Sequence, residues 1–337
     1  MLARVATDCG LGPRLAATGA GLYCQRGPAR TRRIRAASRW AQVTFNPSRN
    51  AGAPEVSVVI PVRNGENVVE EQLQALAAQD FPRRWELVVG DNGSTDATRT
   101  IVLDWRDRLP AVTVVDASIR AGINVARNAA ARQARGDVLL FTDADDRVCP
   151  SWVSAMVAVL DRDDLATGPS ELFDDQDRDL GVLSPDRPST SLGFLPFARG
   201  CNLGVRRSVF DLVGGFDEGW PVLGSDDIDF CWRAQLAGAV LGFSPDARVR
   251  YRQPSTARRA FRKQLGYGVG SVALSRRYAP HGASRWRLRH LLRDGTALAR
   301  DLPWVLSDRR RIAWAKRAGW VTGLAWGSTR RGLADTH

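Results

Sequence analysis

Apolar residues recur along the first half of the chain in short, dense runs. Val56 to Ile60 is a β-branched run closed by Pro61, and residues 86–89, 112–115 and 138–141 repeat its length and character. Runs of four or five apolar positions without polar alternation mark parallel strands buried on both faces. The stretches between them have helical spacing. Residues 66–78 place Val68, Val69, Leu73, Leu76 and Ala77 on one side, and Ser94 or Thr95 caps a helix reaching to about Arg108. Residues 123–135 form a further helix. Strand and helix alternate four times, so the pattern predicts an α/β chain with an open, mostly parallel, Rossmann-like sheet and helices on both faces. Ligands on such sheets lie beyond the carboxyl ends of the strands. Arg63, Asp91 and Asp143 all fall there.

The fourth run opens directly onto Thr142-Asp143-Ala144-Asp145-Asp146. Asp143 and Asp145, one small residue apart, can turn toward a single hard divalent cation whose other positions are filled by water or phosphate oxygens. A polar turn leading into a helix is the other reading of the same acids. Asp91 is placed to accept a hydrogen bond from the N–H groups of a nucleotide base, or to close a turn in its own Gly-containing loop. Arg63, Arg120 and Arg127 offer charge to a diphosphate, although each one alone also reads as a surface arginine.

Composition narrows the class. A chain of 337 residues, 44% hydrophobic and 25% charged, is globular and long enough to bury a full core. Its net charge of +12 is unevenly spread. Residues 1–50 carry nine arginines and one aspartate, and residues 250–337 carry twenty lysines and arginines against four aspartates, so the middle is acidic. That argues against a nucleic-acid groove across the body and suits basic flanks resting on an anionic membrane surface. The basic residues are almost all arginine: Lys263 and Lys316 are the only lysines. Five widely spaced cysteines without a Cys-x-x-Cys pair fit a reduced, cytoplasmic setting better than a disulfide framework or a zinc site. No stretch approaches the roughly twenty apolar residues needed to span a bilayer.

The flanks and the second half have their own character. Residues 1–53 read as a basic extension lacking an apolar period. Residues 174–193, rich in Asp, Pro, Ser and Arg, read as a long polar loop, a lid or a surface insertion. Ser225 is a helix cap followed by Asp226, Asp227 and Asp229 in the first turn of a helix reaching about Gly238, where the helix dipole favours negative charge. From residue 254 to 337 the chain is rich in Trp and Arg. Phe261, Leu265, Val269, Val272 and Ala273 line one side of a helix whose other side is basic. Trp286, Trp304, Trp314, Trp320 and Trp326 are interleaved with Arg and Leu, a pattern that suits peripheral binding at a membrane interface, on the inner face for a cytoplasmic protein.

Several segments, taken in order, resemble glycosyltransferase family 2. Val-Ser-Val-Val-Ile-Pro-Val-Arg-Asn (56–64), Val-Val-Gly-Asp-Asn-Gly-Ser-Thr-Asp (88–96), Ala-Arg-Asn (126–128) and Phe-Thr-Asp-Ala-Asp-Asp (141–146) are similar to its nucleotide-sugar half. Gly-Cys-Asn-Leu-Gly-Val-Arg-Arg (200–207), Gly-Gly-Phe-Asp-Glu (214–218) and Ser-Asp-Asp-Ile-Asp-Phe-Cys-Trp-Arg (225–233) are similar to its acceptor half. The resemblance implies a GT-A fold over residues 54–253, with residues 54–148 holding a nucleoside-diphosphate sugar and residues 149–253 the acceptor, a glycan or lipid-linked hydroxyl. It implies an inverting transferase in which Asp143 and Asp145 hold Mg2+ or Mn2+ and Asp227, beside Asp226, takes the acceptor's proton. It further places Pro61, Arg63, Asn64, Glu66, Asp91, Asn92, Arg120, Gly122, Arg127, Asn128 and Asp143 around the donor, and Cys201, Asn202, Trp232 and Arg233 around the acceptor. Three departures stand out. Asp226 has a shorter arm than the usual Glu, Arg63 replaces a common aromatic residue, and Val249-Arg250-Tyr251 occupies the place of a frequent metal-binding His. A nucleotidyltransferase would need a Gly- and Lys/Arg-rich loop after the first strand, and residues 61–65 offer little of one. A basic protein binding membrane or nucleic acid on a catalytically silent fold remains the contrasting expectation.

Overall fold

A computed structural model describes residues 53–220, 224–285, 296, 298 and 308–329. The expectations for residues 1–52 and for Trp286 and Trp304 lie outside this set. Four parallel strands form the centre: β1 (Val56–Val62), β2 (Trp85–Asp91), β3 (Val112–Asp116) and β4 (Val138–Phe141). β1 runs parallel to both β2 and β4, and β2 runs parallel to β3. Every residue of β1, β2 and β4 is buried, and the polar Ser57 and Glu86 within them are satisfied by a mutual hydrogen bond of 2.7 Å.

The alternating faces of these strands feed two cores. Val58 and Ile60 pack with Leu87, Leu140 and two helices, α1 (Val69–Ala77) and α4 (Trp152–Leu160). On the other face, Val59, Val88, Leu139 and Phe141 pack with α3 (Ile123–Gln133). α2 (Thr98–Asp104) lies between β2 and β3 in the chain. It starts later than expected, because Ser94 and Thr95 are spent on the β1–α1 loop and the carboxylate of Asp96 instead takes the Thr98 N–H at 3.1 Å.

The second half extends this sheet with strands of mixed direction. β5 (Arg147–Val148), β6 (Leu165–Thr167), β7 (Ser170–Phe173), β8 (Asp179–Leu183), β9 (Ser189–Thr190), β10 (Pro196–Phe197), β11 (Leu203–Arg206), β12 (Leu241–Phe243) and β13 (Val249–Arg252) follow, with α5 (Arg207–Leu212) and α6 (Asp226–Leu236) between them. The main sheet has the order β12-β6-β11-β4-β1-β2-β3, with β11 antiparallel to β4. A four-stranded sheet, β5-β13-β7-β8, stands beside it. The polar stretch 174–193 is therefore not a structureless loop. Residues 179–183 pair with β7, and an Asx-type turn, in which Asp174 accepts from Gln176 and Arg178, joins the two strands.

Two long helices complete the described chain: α7 (Ala257–Tyr278) and α8 (Asp308–Thr329). α7 does not form a region apart, since Ala273, Leu274 and Tyr278 share the apolar cluster of Phe141 and Trp232. Tyr278 and Arg277 fasten it to Asp229 of α6 at 2.7 and 2.9 Å. α7 and α8 approach nearly backbone to backbone. A β-carbon at Gly319 would stand 2.2 Å from the Phe261 carbonyl oxygen, and one at Gly323 equally close to that of Leu265. Gly319→Ala is accordingly expected to force the helices apart and cost about 1–3 kcal/mol, read as a lower melting temperature. An unchanged midpoint would show that the contact yields. Among the described residues no helix is long and apolar enough to cross a membrane.

Candidate active site

β4 ends at Phe141, and the following loop is held from beneath. Gln72 of α1, fully buried, donates to Thr142 Oγ1 and to the Asp143 carbonyl and accepts from the Val148 N–H, so both ends of the acid loop hang on one side chain. Asp143 is half-buried, Asp145 exposed and Asp146 fully buried. Ligand atoms of Asp143, Asp146 and Cys201 lie within 4.8 Å of one another. Asp146 accepts from the Arg252 N–H through Oδ1, and its Oδ2 is buried without a partner. Burial, then the charges of Asp145 and Asp143, push the Asp146 carboxyl well above the ordinary range. Three crowded carboxyls with an unsatisfied oxygen are an environment that added positive charge would relieve. The oxygens present suit a hard divalent cation. The Cys201 thiol is held protonated by burial and by the neighbouring Asp146 and Asp143.

Arg127 ties this loop to the other half of the molecule. It projects from α3, its side chain only 4% exposed, and its two terminal nitrogens part ways. Nη2 donates to Asp143 at 3.0 Å and Nη1 to Asp226 at 2.7 Å. Its guanidinium lies over the Phe216 ring, 5.1 Å from the centroid. Space for it depends on Gly200, where a β-carbon would come within 2.6 Å of Nη2. Burial raises the Asp226 carboxyl to about 6 against the pull of Arg127.

Asp227 follows on the first turn of α6 and is only half-buried. Its two oxygens accept from the Gly200 and Ile228 N–H groups, each at 2.9 Å. Burial pushes its carboxyl upward, and the Gly200 N–H and Arg127 oppose the shift. Ser225 does not cap this helix as expected. It adopts a left-handed φ of 65° and makes no side-chain cap.

The remaining residues separate into those that frame the site and those that the fold has consumed. Pro61 is buried in β1, opposite Gly90. Asp91 closes a turn by accepting from Ser94 N–H at 2.9 Å, which leaves its second oxygen without a protein donor among the described residues. Asn64 and Glu66 latch the β1–α1 loop to residues 94–97. Asn92 spends its amide on Ala117, Arg120 and Gly122, shaping the loop before α3. Asn128 spends its own on Phe216 and Glu218, and exposed Arg120 pairs with Glu218 at 2.8 Å. Arg63 is exposed at the strand end. On the acceptor side, Asn202 and Trp232 are buried and fully engaged: Asn202 with Trp152, Pro169 and Ala247, and Trp232 with the Leu195 carbonyl. Arg233 binds Asp229 and the carbonyls of Val213 and Gly215. The polar groups of these three hold the acceptor half together. Only Cys201 of that set stands beside the acid loop.

A cleft of about 220 Å³ opens where Asp145 faces Asp175, Arg252, Gln253, Arg259 and Lys263. Arg252 spans it, donating to the Asp145 carbonyl at 3.0 Å and pairing with Glu71 and Asp175. Arg252 and Gln72 stand in no local motif of the sequence, whereas Asp146 and Gly200 fall inside patterns that it displays.

The profile of glycosyl transferase family 2 matches residues 57–213, and that of glycosyl transferase family group 2 matches residues 138–328. Validoxylamine A glucosyltransferase of Streptomyces hygroscopicus subsp. limoneus is 35% identical over 119 residues, covering 35% of this chain and 26% of that protein. Glycosyltransferase AglE of Haloferax volcanii is 28% identical over 204 residues, 57% of this chain and 65% of its own length. The chain thus spans less than two thirds of either relative. The mannosyltransferase PcManGT from Pyrobaculum calidifontis, solved in complex with GDP-Man and Mn2+, shares the fold with a TM-score of 0.60 at 20% identity, over 83% of this chain and 88% of that one. TarS 1-349 of S. aureus, solved in complex with UDP-GlcNAc, aligns at 0.50 and 20% identity over 80% and 90% of the two chains. The chain belongs to glycosyl transferase family group 2, whose profile matches more than half of it, and it has the GT-A fold.

Proposed function

We propose that the chain moves a sugar from a nucleoside diphosphate to an acceptor hydroxyl by a single inverting displacement, with Asp227 as the general base. The observation that carries this reading is Arg127, whose one buried guanidinium joins Asp143 of the acid loop to Asp226, the neighbour of Asp227. A group that neutralises carboxylates in both halves fixes their spacing, as a transfer between two bound substrates requires. In the step itself the acceptor oxygen bonds to the anomeric carbon and its proton passes to Asp227. The bond from that carbon to the phosphate oxygen breaks, its electron pair leaving on the nucleoside diphosphate.

Asp143 and Asp145 are the residues proposed to hold Mg2+ or Mn2+, with Asp146 behind them. Bound there, the ion would supply positive charge to the leaving diphosphate. Asp91, with one carboxylate oxygen unused by the protein, is proposed to read the base. The basic C-terminal helices and the exposed Trp326 support a peripheral position on an anionic membrane surface, at the cytoplasmic face, and hence a lipid-linked or cell-envelope glycan acceptor.

A thermal-shift panel of UDP, GDP, dTDP and their sugars, with and without Mn2+, tests the donor. Binding to the native state raises the melting temperature, so one nucleotide should give a metal-dependent rise that Asp145→Ala removes. Silence across the panel would contradict the reading. The base also has a pH consequence. Asp227 must be ionised to act, and burial pushes its carboxyl upward. On the acid side, kcat/KM should therefore fall with a midpoint above the ordinary aspartate range, and Asp227→Asn should abolish that limb.

A further inference from the structure

The chain's only two lysines, Lys263 of α7 and Lys316 of α8, converge on the cleft that Asp145 lines. Lys316 donates to Gln253 at 3.2 Å and thereby braces the cleft wall. Lys263 lines the cleft itself. Its ammonium sits 4.2 Å from the centroid of the Tyr251 ring, and Tyr251 in turn meets the Tyr267 hydroxyl at 3.1 Å. Tyr251 lies on β13, the strand that pairs with β5 directly after the acid loop and whose Arg252 N–H binds Asp146. The lysine is thus registered against the acid loop through a fixed ring.

Lys263 differs from Arg252 in its free valence, and from Arg259, which is exposed, in being half-buried against a ring. Arg252 is committed to Glu71, Asp175 and the Asp145 carbonyl. Among the described residues Lys263 makes no hydrogen bond or ion pair with a protein acceptor. A half-buried ammonium that rests on a ring face and lines a cleft without a protein acceptor among the described residues is arranged for an anion. We propose that Lys263 binds the terminal phosphate of the donor's nucleoside diphosphate, so that the C-terminal hairpin completes the donor site. This rests on the donor assignment above. As the bond to the anomeric carbon breaks, charge accumulates on that phosphate, and the ammonium meets it alongside the metal ion. The hairpin then has a task at the reaction centre in addition to any at a membrane.

Calorimetric titration of the full chain with UDP, GDP and dTDP, and with UMP, GMP and dTMP, in Mn2+ tests this on Lys263→Gln and Lys263→Arg. Loss of a charge-assisted hydrogen bond is expected to weaken binding of the preferred diphosphate by about ten- to a hundred-fold in Lys263→Gln. The matching monophosphate should change less than about two-fold, and Lys263→Arg should recover most of the loss. Equal affinity of wild type and Lys263→Gln for the diphosphate overturns the proposal. So does a parallel loss for monophosphate and diphosphate, which marks a structural role. Unchanged diphosphate affinity with a raised acceptor KM would assign the cleft to an acceptor phosphate and likewise overturn it. If the wild type binds none of the six nucleotides, the donor assignment itself fails, and the proposal with it.

Discussion

Asp227→Asn is expected to lower kcat by about 10²- to 10⁴-fold, the usual contribution of a positioned general base, while leaving nucleotide binding and the melting temperature nearly unchanged. The amide is isosteric and its oxygen can still accept from the Gly200 or the Ile228 N–H group, so the start of α6 keeps one of its two tethers. Because Asp227 is half-buried and carries no ion pair, little stability rides on its charge. Kinetics should therefore separate from folding at this position. Substantial residual transfer would move the base elsewhere, and Asp226 is a poor successor because Arg127 already holds it.

Arg127→Met should show the opposite balance. It removes the buried guanidinium that compensates Asp143 and Asp226 and leaves both carboxylates without their shared partner. Breaking a buried ion pair in this one-sided way costs about 3–5 kcal/mol, read from a chemical denaturation midpoint, and transfer should be lost with it. Arg127→Lys restores charge but reaches one carboxylate at a time, so it should recover stability only in part and activity hardly at all. Combining Arg127→Met with Asp226→Asn should be less destabilising than the sum of the single changes, because the second change removes a charge that the first left stranded. A cost below about 1 kcal/mol for Arg127→Met would show that the bridge is incidental.

Much of the first half was legible in the sequence for a simple reason. Strands buried on both faces are mostly apolar, and Val56 to Val62 and Val138 to Phe141 announce themselves. Asp143, Asp145 and Asp227 were visible because acids at strand ends and helix starts fall in short local patterns. What local pattern does not carry is partnership. Arg127 looks like any helical arginine until the fold brings Asp226, 99 positions away, to its nitrogen. Asn202 and Trp232 sit in motifs that suggest a substrate surface, yet burial has spent their polar atoms inside. The C-terminal helix is ambiguous in another way. Its apolar side reads equally as a membrane face or a packing face, and on α7 Val269, Val272 and Ala273 are buried within the protein. Lys263 lay hidden on the polar side of that same helix, its significance set by a ring on a distant strand.

The account turns on a sugar placed between the acid loop and Asp227. A co-crystal structure with the tightest-binding nucleoside diphosphate sugar and Mn2+ measures this directly, through the distance from the Asp227 carboxylate to the anomeric carbon. The account predicts the anomeric carbon between the two, with its diphosphate toward Asp145 and Lys263 and its open face toward Asp227. A sugar ring turned away from Asp227, or a diphosphate lying clear of the acid loop, would contradict it.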